Sequence, residues 1–293
     1  MMKMNIRKIT LKTIKYTALI LWLLILFIPI ITIFFGSFKT YNEFNNTAGI
    51  APPESFLNLS NYKDAFINGK MLVGFFNTFI LILFGALGSV IIGSMVAFAV
   101  NRFNFRYKKI ILFMYLLVSI VPMEISQVAT FKIIDAIGIY NTRLAPIVLY
   151  LGADVLMVYI YLQMLEKIPK DIDKAARLEG ASYFKIYWKV IFPLLKPATA
   201  TACMIKIISI YNDFYIPFLY MPGEGLNTVS TALFKFIGPA RTDWQIICAA
   251  IIISMIPMII FFCFLQKHIY GGITSGSIKW WKKIIFLREY IQY

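Results

Sequence analysis

The chain has 293 residues, 60% of them hydrophobic and 15% charged, with a net charge of +15 and a mean hydropathy of +0.75. A soluble domain carries about a quarter charged residues, so this composition excludes a soluble globular protein and implies an integral membrane protein. Three cysteines lie in apolar segments without metal-ligand spacing, and His268 is the single histidine. A His-based metal site and a catalytic triad are thereby excluded, and no catalytic residue or metal ligand is assigned. No Gly-rich phosphate loop of the Walker type occurs, so the chain does not bind ATP that way.

The apolar runs are helix-length and lack period-two alternation, which favours an all-α polytopic membrane protein over a β-barrel. In chain order, residues 1–13 form a basic segment with apolar residues interleaved. It is either an amphipathic interface helix or a plain basic flank. The spacing predicts six transmembrane helices, at about 14–36, 72–100, 110–131, 143–165, 193–220 and 244–266. The first is too long for a removable signal peptide, and FFGSFK follows it in place of a small-residue cleavage site. A loop at 37–71 carries APPESF, Asn58, Asn61 and Tyr62, and reads as a structured cap. The loop 166–192 is polar and basic, and the tail 267–293 is basic and aromatic.

Lysine and arginine set the orientation. Of the 29 basic residues, 21 fall in the N-terminal flank, the 101–109 segment, the 166–196 loop and the tail. Seven fall in the three opposite loops, and Lys206 lies inside span five. Both termini and the 166–192 loop are expected on the cytoplasmic side of a bacterial cell membrane. Topology thus accounts for most of the net charge, and a nucleic-acid partner is not expected.

The stretch 171–197 reads DIDKAARLEGASYFKIYWKVIFPLLKP. Pro169 followed by Asp171 and Asp173 marks a helix start. Ala175, Ala176 and Leu178 favour helix. Gly180 and Ala181 permit a sharp turn. A second helix over Ser182–Phe192 is expected to align Phe184, Tyr187, Trp188 and Ile191 on one face. The result is a helix–turn–helix elbow with a small-residue apex, suited to a groove on another protein.

Together with its flanks, IPKDIDKAARLEGASYFKIYWKVIFPLLKP resembles the EAA loop of binding-protein-dependent ABC importer permeases, in the carbohydrate branch of the maltose-transporter type. GSFKT (Gly36–Thr40), Gly138 with Asn141 and Thr142, YNDF (Tyr211–Phe214) and QKHIYGGITSGSIK (Gln266–Lys279) match other family motifs in the same order. The resemblance implies the type I ABC importer permease fold: a transmembrane domain over 14–266 with a coupling loop at 166–192, flanked by cytoplasmic segments 1–13 and 267–293. It implies a transport subunit rather than an enzyme. Its partners are a second homologous permease, two cytoplasmic ABC ATPase subunits and an extracytoplasmic solute-binding protein. The substrate is a carbohydrate, the surroundings are membrane lipid, and ATP and Mg belong to the ATPases, with no cofactor in this chain.

By the same resemblance, Asp173, Lys174, Ala175, Ala176, Arg177, Glu179, Gly180 and Ala181 couple to the ATPase, with Gly272, Gly276 and Lys279 as a C-terminal ATPase contact. Gly223, Glu224 and Asn227 are the expected binding-protein docking element. A turn rich in Gly and Pro is the plainer reading of that loop. The sequence departs from the family pattern at Lys174, which stands where the family has glutamate. Asp171 and Asp173 are the nearby acids able to substitute. The tail beyond Lys279 is an addition to the pattern.

Ionisable groups at membrane depth face a cavity or a partner. Glu124, Asp154, Lys206 and Asp213, with Tyr211, Asn212 and Tyr215, are candidates for a translocation pathway. The competing reading is a buried ion pair that bonds helices together. Lys206 raises a narrower alternative, an anionic solute such as a uronic-acid sugar or a phosphate ester. A permease for glycerol phosphate and a proton-coupled secondary carrier using Asp154 and Glu124 complete the alternatives; the carrier leaves the elbow without a role.

Overall fold

The computed structural model describes residues 2–264 apart from 153 and 239–241; the side chains of 2–11, 123 and 124 also fall outside the description. Every regular element among the described residues is helical, apart from one isolated bridge between Ile237 and Thr242. Among the described residues, three helices are long and apolar enough to cross a membrane: Lys12–Gly36, Met71–Arg102 and Trp244–Phe264. Three bent helix pairs bring the number to six if each pair counts as one span.

Packing divides the chain into two units. The first comprises Met1–Met71 with Ala232–Pro257. Its helix α1, Met2–Gly36, is one unbroken run of 35 residues that continues from the N-terminal segment through Pro29. Beyond Lys15 it is apolar on all sides, as a membrane-spanning helix must be. The expected cap at 37–71 is folded. Thr40 and Glu43 make a reciprocal capping box that starts α2, Tyr41–Asn46. Lys39 is 1% exposed and donates to Thr47 Oγ1 at 2.8 Å and to the Ala48 carbonyl at 2.9 Å. Asn61, on α3 (Ser60–Asn68), donates to the Ser37 and Lys39 carbonyls at 2.9 and 2.8 Å. GSFKT thus forms a hydrogen-bonded knot that ends α1. Ala65 packs on Ala249 and Ala250 near the start of the Trp244–Phe264 helix.

The second unit comprises Leu72–Thr231 with residues from Met258 on. Its axis is α4, Met71–Arg102. Small buried residues on this helix (Ala86, Ser89, Ser94, Ala97) let neighbours approach, which is how helices associate without a hydrophobic drive in lipid. At Gly85 a Cβ would lie 2.9 Å from Tyr150 Cβ and 3.1 Å from Ile210 Cδ1, so only glycine allows this packing.

The three remaining predicted spans are interrupted. Span three becomes α5, Lys108–Ile120, and α6, Met123–Ala136, separated at extended Pro122. Span four becomes α7, Leu144–Tyr150, and α8, Val155–Leu165. Span five becomes α11, Lys196–Asn212, and α12, Tyr215–Tyr220. Between spans four and five lie α9, Asp171–Leu178, and α10, Tyr183–Leu194; α10 meets α11 at an 80° bend. A mean hydropathy is blind to such breaks, because they occur within apolar sequence.

Candidate functional site

The 166–196 loop folds as the predicted elbow. Helix α9 has Asp171 and Asp173 in its first turn and Arg177 in its last, each sign matched to the helix dipole. It ends in a Schellman motif: the Ala181 N–H donates to the Ala176 carbonyl at 3.0 Å and the Gly180 N–H to the Arg177 carbonyl at 3.0 Å. Gly180 has φ +81°, and nothing stands within 4 Å of the place where its Cβ would be. The apex is therefore bare and its backbone open to a partner. Arg177 braces the turn, donating to the Ala181 carbonyl at 3.2 Å with its guanidinium 4.6 Å above the Tyr183 ring. Ser182 caps α10 by accepting from the Lys185 N–H.

Two faces result. Lys174, Ala175, Arg177, Glu179 and Gly180 are exposed, together with Asp171. Asp173, Ala176 and Ala181 are half-buried on the inner side, and the two alanines pack on a core that includes Tyr161, Ile186, Tyr187 and Ile191. Phe184 departs from the expected face and is exposed, while Ile186 takes the buried place. The reason is a π-helical turn at Tyr187–Ile191, which shifts the register of the helix. Leu178, absent from the sequence-derived set, is 90% exposed at the apex. Its position one turn after Lys174 and Ala175 was the signal for it. Leu178 and Phe184 are both exposed apolar side chains on a polar loop, a feature of protein contact surfaces.

The charges at the Lys174 departure are accounted for. Lys174 donates to Asp171 at 2.8 Å, with both side chains exposed. This bond holds the Asp171 carboxyl below its ordinary pKa and raises that of Lys174. Asp173 turns inward to Arg102, the last residue of α4, with Nε 2.6 Å from Oδ2 and side-chain exposures of 4% for Arg102 and 14% for Asp173. Burial pushes the Asp173 carboxyl up, while Arg102 and then Lys170 pull it down. Arg102 also donates to the Ile168 carbonyl at 3.2 Å. Asp173 is therefore a strut between a membrane helix and the elbow. Arg102 lies 71 positions before its partner in sequence, so no local pattern announced it.

The membrane-depth groups form two separate pairs. Lys206 donates to Asp154 at 3.0 Å; the lysine side chain is 6% exposed and the carboxylate 57%. Asp213 accepts from the Tyr150 hydroxyl at 2.9 Å and from the Ile216 N–H at 3.1 Å, so it caps the break between α11 and α12. Asn212 donates to the Ile208 carbonyl of its own helix. Tyr211 and Tyr215 are half-buried on either side of this break. The Glu124 side chain lies outside the described residues, as do Gly272, Gly276 and Lys279.

The loop after α12 is held from below. The Gly223 N–H donates to Asn141 Oδ1 at 2.7 Å, and the Asn141 N–H donates to the Tyr220 carbonyl at 2.9 Å. Asn77 donates to the Gly225 and Asn227 carbonyls at 3.0 and 2.8 Å and accepts from Arg143 at 2.7 Å. Glu224 is exposed at the loop surface, while Gly223 and Asn227 are half-buried. This explains the Gly138–Asn141 motif: Gly138 ends α6 and Asn141 holds the loop.

Comparison with known proteins accords with this architecture. Residues 89–275 match the family described as binding-protein-dependent transport system inner membrane component. The probable starch degradation products transport system permease protein AmyC of Thermoanaerobacterium thermosulfurigenes is 31% identical over 283 residues, covering 95% of this chain and 100% of that one. The melibiose/raffinose/stachyose import permease protein MelC of Bacillus subtilis is 29% identical over 255 residues, covering 86% of this chain and 91% of that one. A crystal structure of a bacterial ABC transporter involved in the import of the acidic polysaccharide alginate shares the fold, with a TM-score of 0.75 at 21% identity, covering 87% of this chain and 95% of that chain. The chain belongs to the inner membrane component family of binding-protein-dependent transport systems. It is a permease subunit of an ABC importer, a transport component rather than an enzyme.

Proposed function

We propose that this chain is the membrane subunit of an ATP-driven, binding-protein-dependent importer for a sugar or oligosaccharide. It pairs with a second, homologous permease, two cytoplasmic ATPase subunits and an extracytoplasmic solute-binding protein. The chain crosses the membrane six times with both termini in the cytoplasm, a reading supported by the distribution of basic residues. ATP and magnesium are bound by the ATPase subunits, and this chain needs no cofactor of its own. The sugar is supported by the names of relatives that match over most of the chain.

The observation that carries the mechanism is the elbow. Its apex is bare at Gly180 and apolar at Leu178, and its inner face is tied to α4 through Arg102 and Asp173. A push on the apex by a closing ATPase passes along α9 into α4 through a buried ion pair, and through α10 into α11 across the 80° bend. Access to the solute then alternates between the two faces of the membrane. Gly223, Glu224 and Asn227 take the docked binding protein, with Glu224 as the exposed contact.

The test is sugar uptake into inverted-topology-controlled proteoliposomes holding the complete complex. Uptake that requires ATP and survives a protonophore supports the importer. Uptake abolished by the protonophore and indifferent to ATP would move the chain to the class of proton-coupled carriers.

A further inference from the structure

Two adjoining hollows lie between α5 and α8, of about 550 and 440 Å3, and share Tyr115 and Val155. Each has a volume typical of small-molecule sites, roughly 300–1,000 Å3. The larger hollow opens at the break between α7 and α8 and places Tyr115, Ser119 and Asp154 among apolar side chains such as Val118 and Leu149. The smaller one continues beside Tyr159, Gln163 and Glu166 toward the C-terminal end of α8.

Two features mark this groove as aqueous. Irregular backbone at membrane depth is tolerated only inside protein or beside water; here the Gly152 carbonyl at the break accepts from Ser89 at 3.0 Å, while the neighbouring Asp154 carboxylate opens into the hollow. A half-exposed carboxylate facing lipid is costly. Its counter-ion, Lys206, sits behind it and is itself buried. The pair therefore turns its negative side to the groove.

Set among apolar side chains, the charged groups of the described lining are all of one sign. Asp154 and Glu166 offer carboxylate acceptors. The Ser119 hydroxyl donates to the Leu116 carbonyl at 2.7 Å, which leaves its oxygen as an acceptor. No lysine or arginine is among the described lining residues. Lys206 is already spent on Asp154, which argues against the anionic solute raised by its position in the sequence.

We propose that the α5–α8 groove is a passage for neutral, polyhydroxylated solutes, with Asp154 as a hydroxyl-binding carboxylate held by Lys206, and that its carboxylates, with no lysine or arginine among the described lining residues, disfavour anionic sugars. This rests on the importer reading above. Sugar hydroxyls donate to Asp154 and Ser119, and Tyr115 offers a ring for a sugar face. An anion entering here meets carboxylates and no lysine or arginine among the described lining residues.

The test uses the complete complex reconstituted with a chain whose three cysteines are replaced by serine. Single cysteines go in as Ser119→Cys and Gln163→Cys, with Lys63→Cys on the cap as the reference. Each is labelled with a cationic and an anionic methanethiosulfonate, at rest and after vanadate trapping. The expected result is labelling at both groove positions, with a cationic-to-anionic rate ratio at least tenfold above that of the reference. Asp154→Asn is expected to lower the ratio at Ser119→Cys at least threefold. Absence of labelling in both states, or a ratio equal to the reference, overturns the proposal. In parallel, uptake of radiolabelled neutral oligosaccharides and their uronic-acid counterparts is measured. Preference for the acidic members overturns the solute class; loss of ATP-driven uptake of all sugars counts instead against the importer reading.

Discussion

At the scale of single residues, two positions carry the coupling argument. Arg102 and Asp173 form a buried ion pair between a membrane helix and the elbow. Removing one member leaves the other charge buried and unpaired, a loss of about 3–5 kcal/mol. Arg102→Met is therefore expected to lower the thermal stability of the purified subunit and to reduce uptake at least tenfold, measured by detergent melting and proteoliposome transport. Asp173→Asn keeps the shape but strands the more deeply buried Arg102 charge, which cannot be neutralised by losing a proton, and should lose at least as much. Gly180 has a left-handed backbone with open space around it. Left-handed geometry costs an ordinary residue about 1–2 kcal/mol, and asparagine least. Gly180→Asn should keep most uptake, Gly180→Val should lose it in part, and Gly180→Trp should abolish it with expression unchanged, because the bulk meets the partner and not this chain.

At the scale of elements, the elbow is hinged by a π turn and a bend. Ser94 donates to the Val90 carbonyl at 2.7 Å, so the 2.7 Å bond between Ser94 and Tyr187 takes its proton from the tyrosine. This bond fixes the π turn of α10 against α4. Tyr187→Phe removes it at a cost of about 0.5–1.5 kcal/mol, and the expected reading is a small fall in melting temperature with a larger fall in solute-stimulated ATP hydrolysis of the complex. The sequence announced the elbow, because Pro169, the paired aspartates, Ala175–Ala176 and Gly180 are local signals that need no tertiary contact. It announced Asp154 and Lys206 as exceptional, because charge inside an apolar run is itself the signal. Pro122 is a local kink signal in its own right, but the break between α7 and α8 had no such marker, since hydropathy is an average over a window. Nor did the sequence announce the π turn, which displaced Phe184 from its expected face, or the Arg102 strut, which joins distant segments.

At the scale of the whole molecule, three long apolar helices and three bent pairs accord with the six spans expected from the sequence. Family membership adds the transport role, and the proposed route from ATP binding elsewhere to the membrane helices runs through the elbow. The two ends of this route are expected to separate experimentally: an elbow variant loses the ATPase and keeps its membrane partner. The measurement is mild-detergent co-purification of the full-length chain and of Gly180→Trp from native membranes, with mass spectrometry of the co-purified proteins. The account predicts that the wild-type chain brings an ABC ATPase and a second permease, and that the variant brings the permease alone. A variant that retains the ATPase and normal uptake, or a wild-type chain recovered folded and alone, would contradict it.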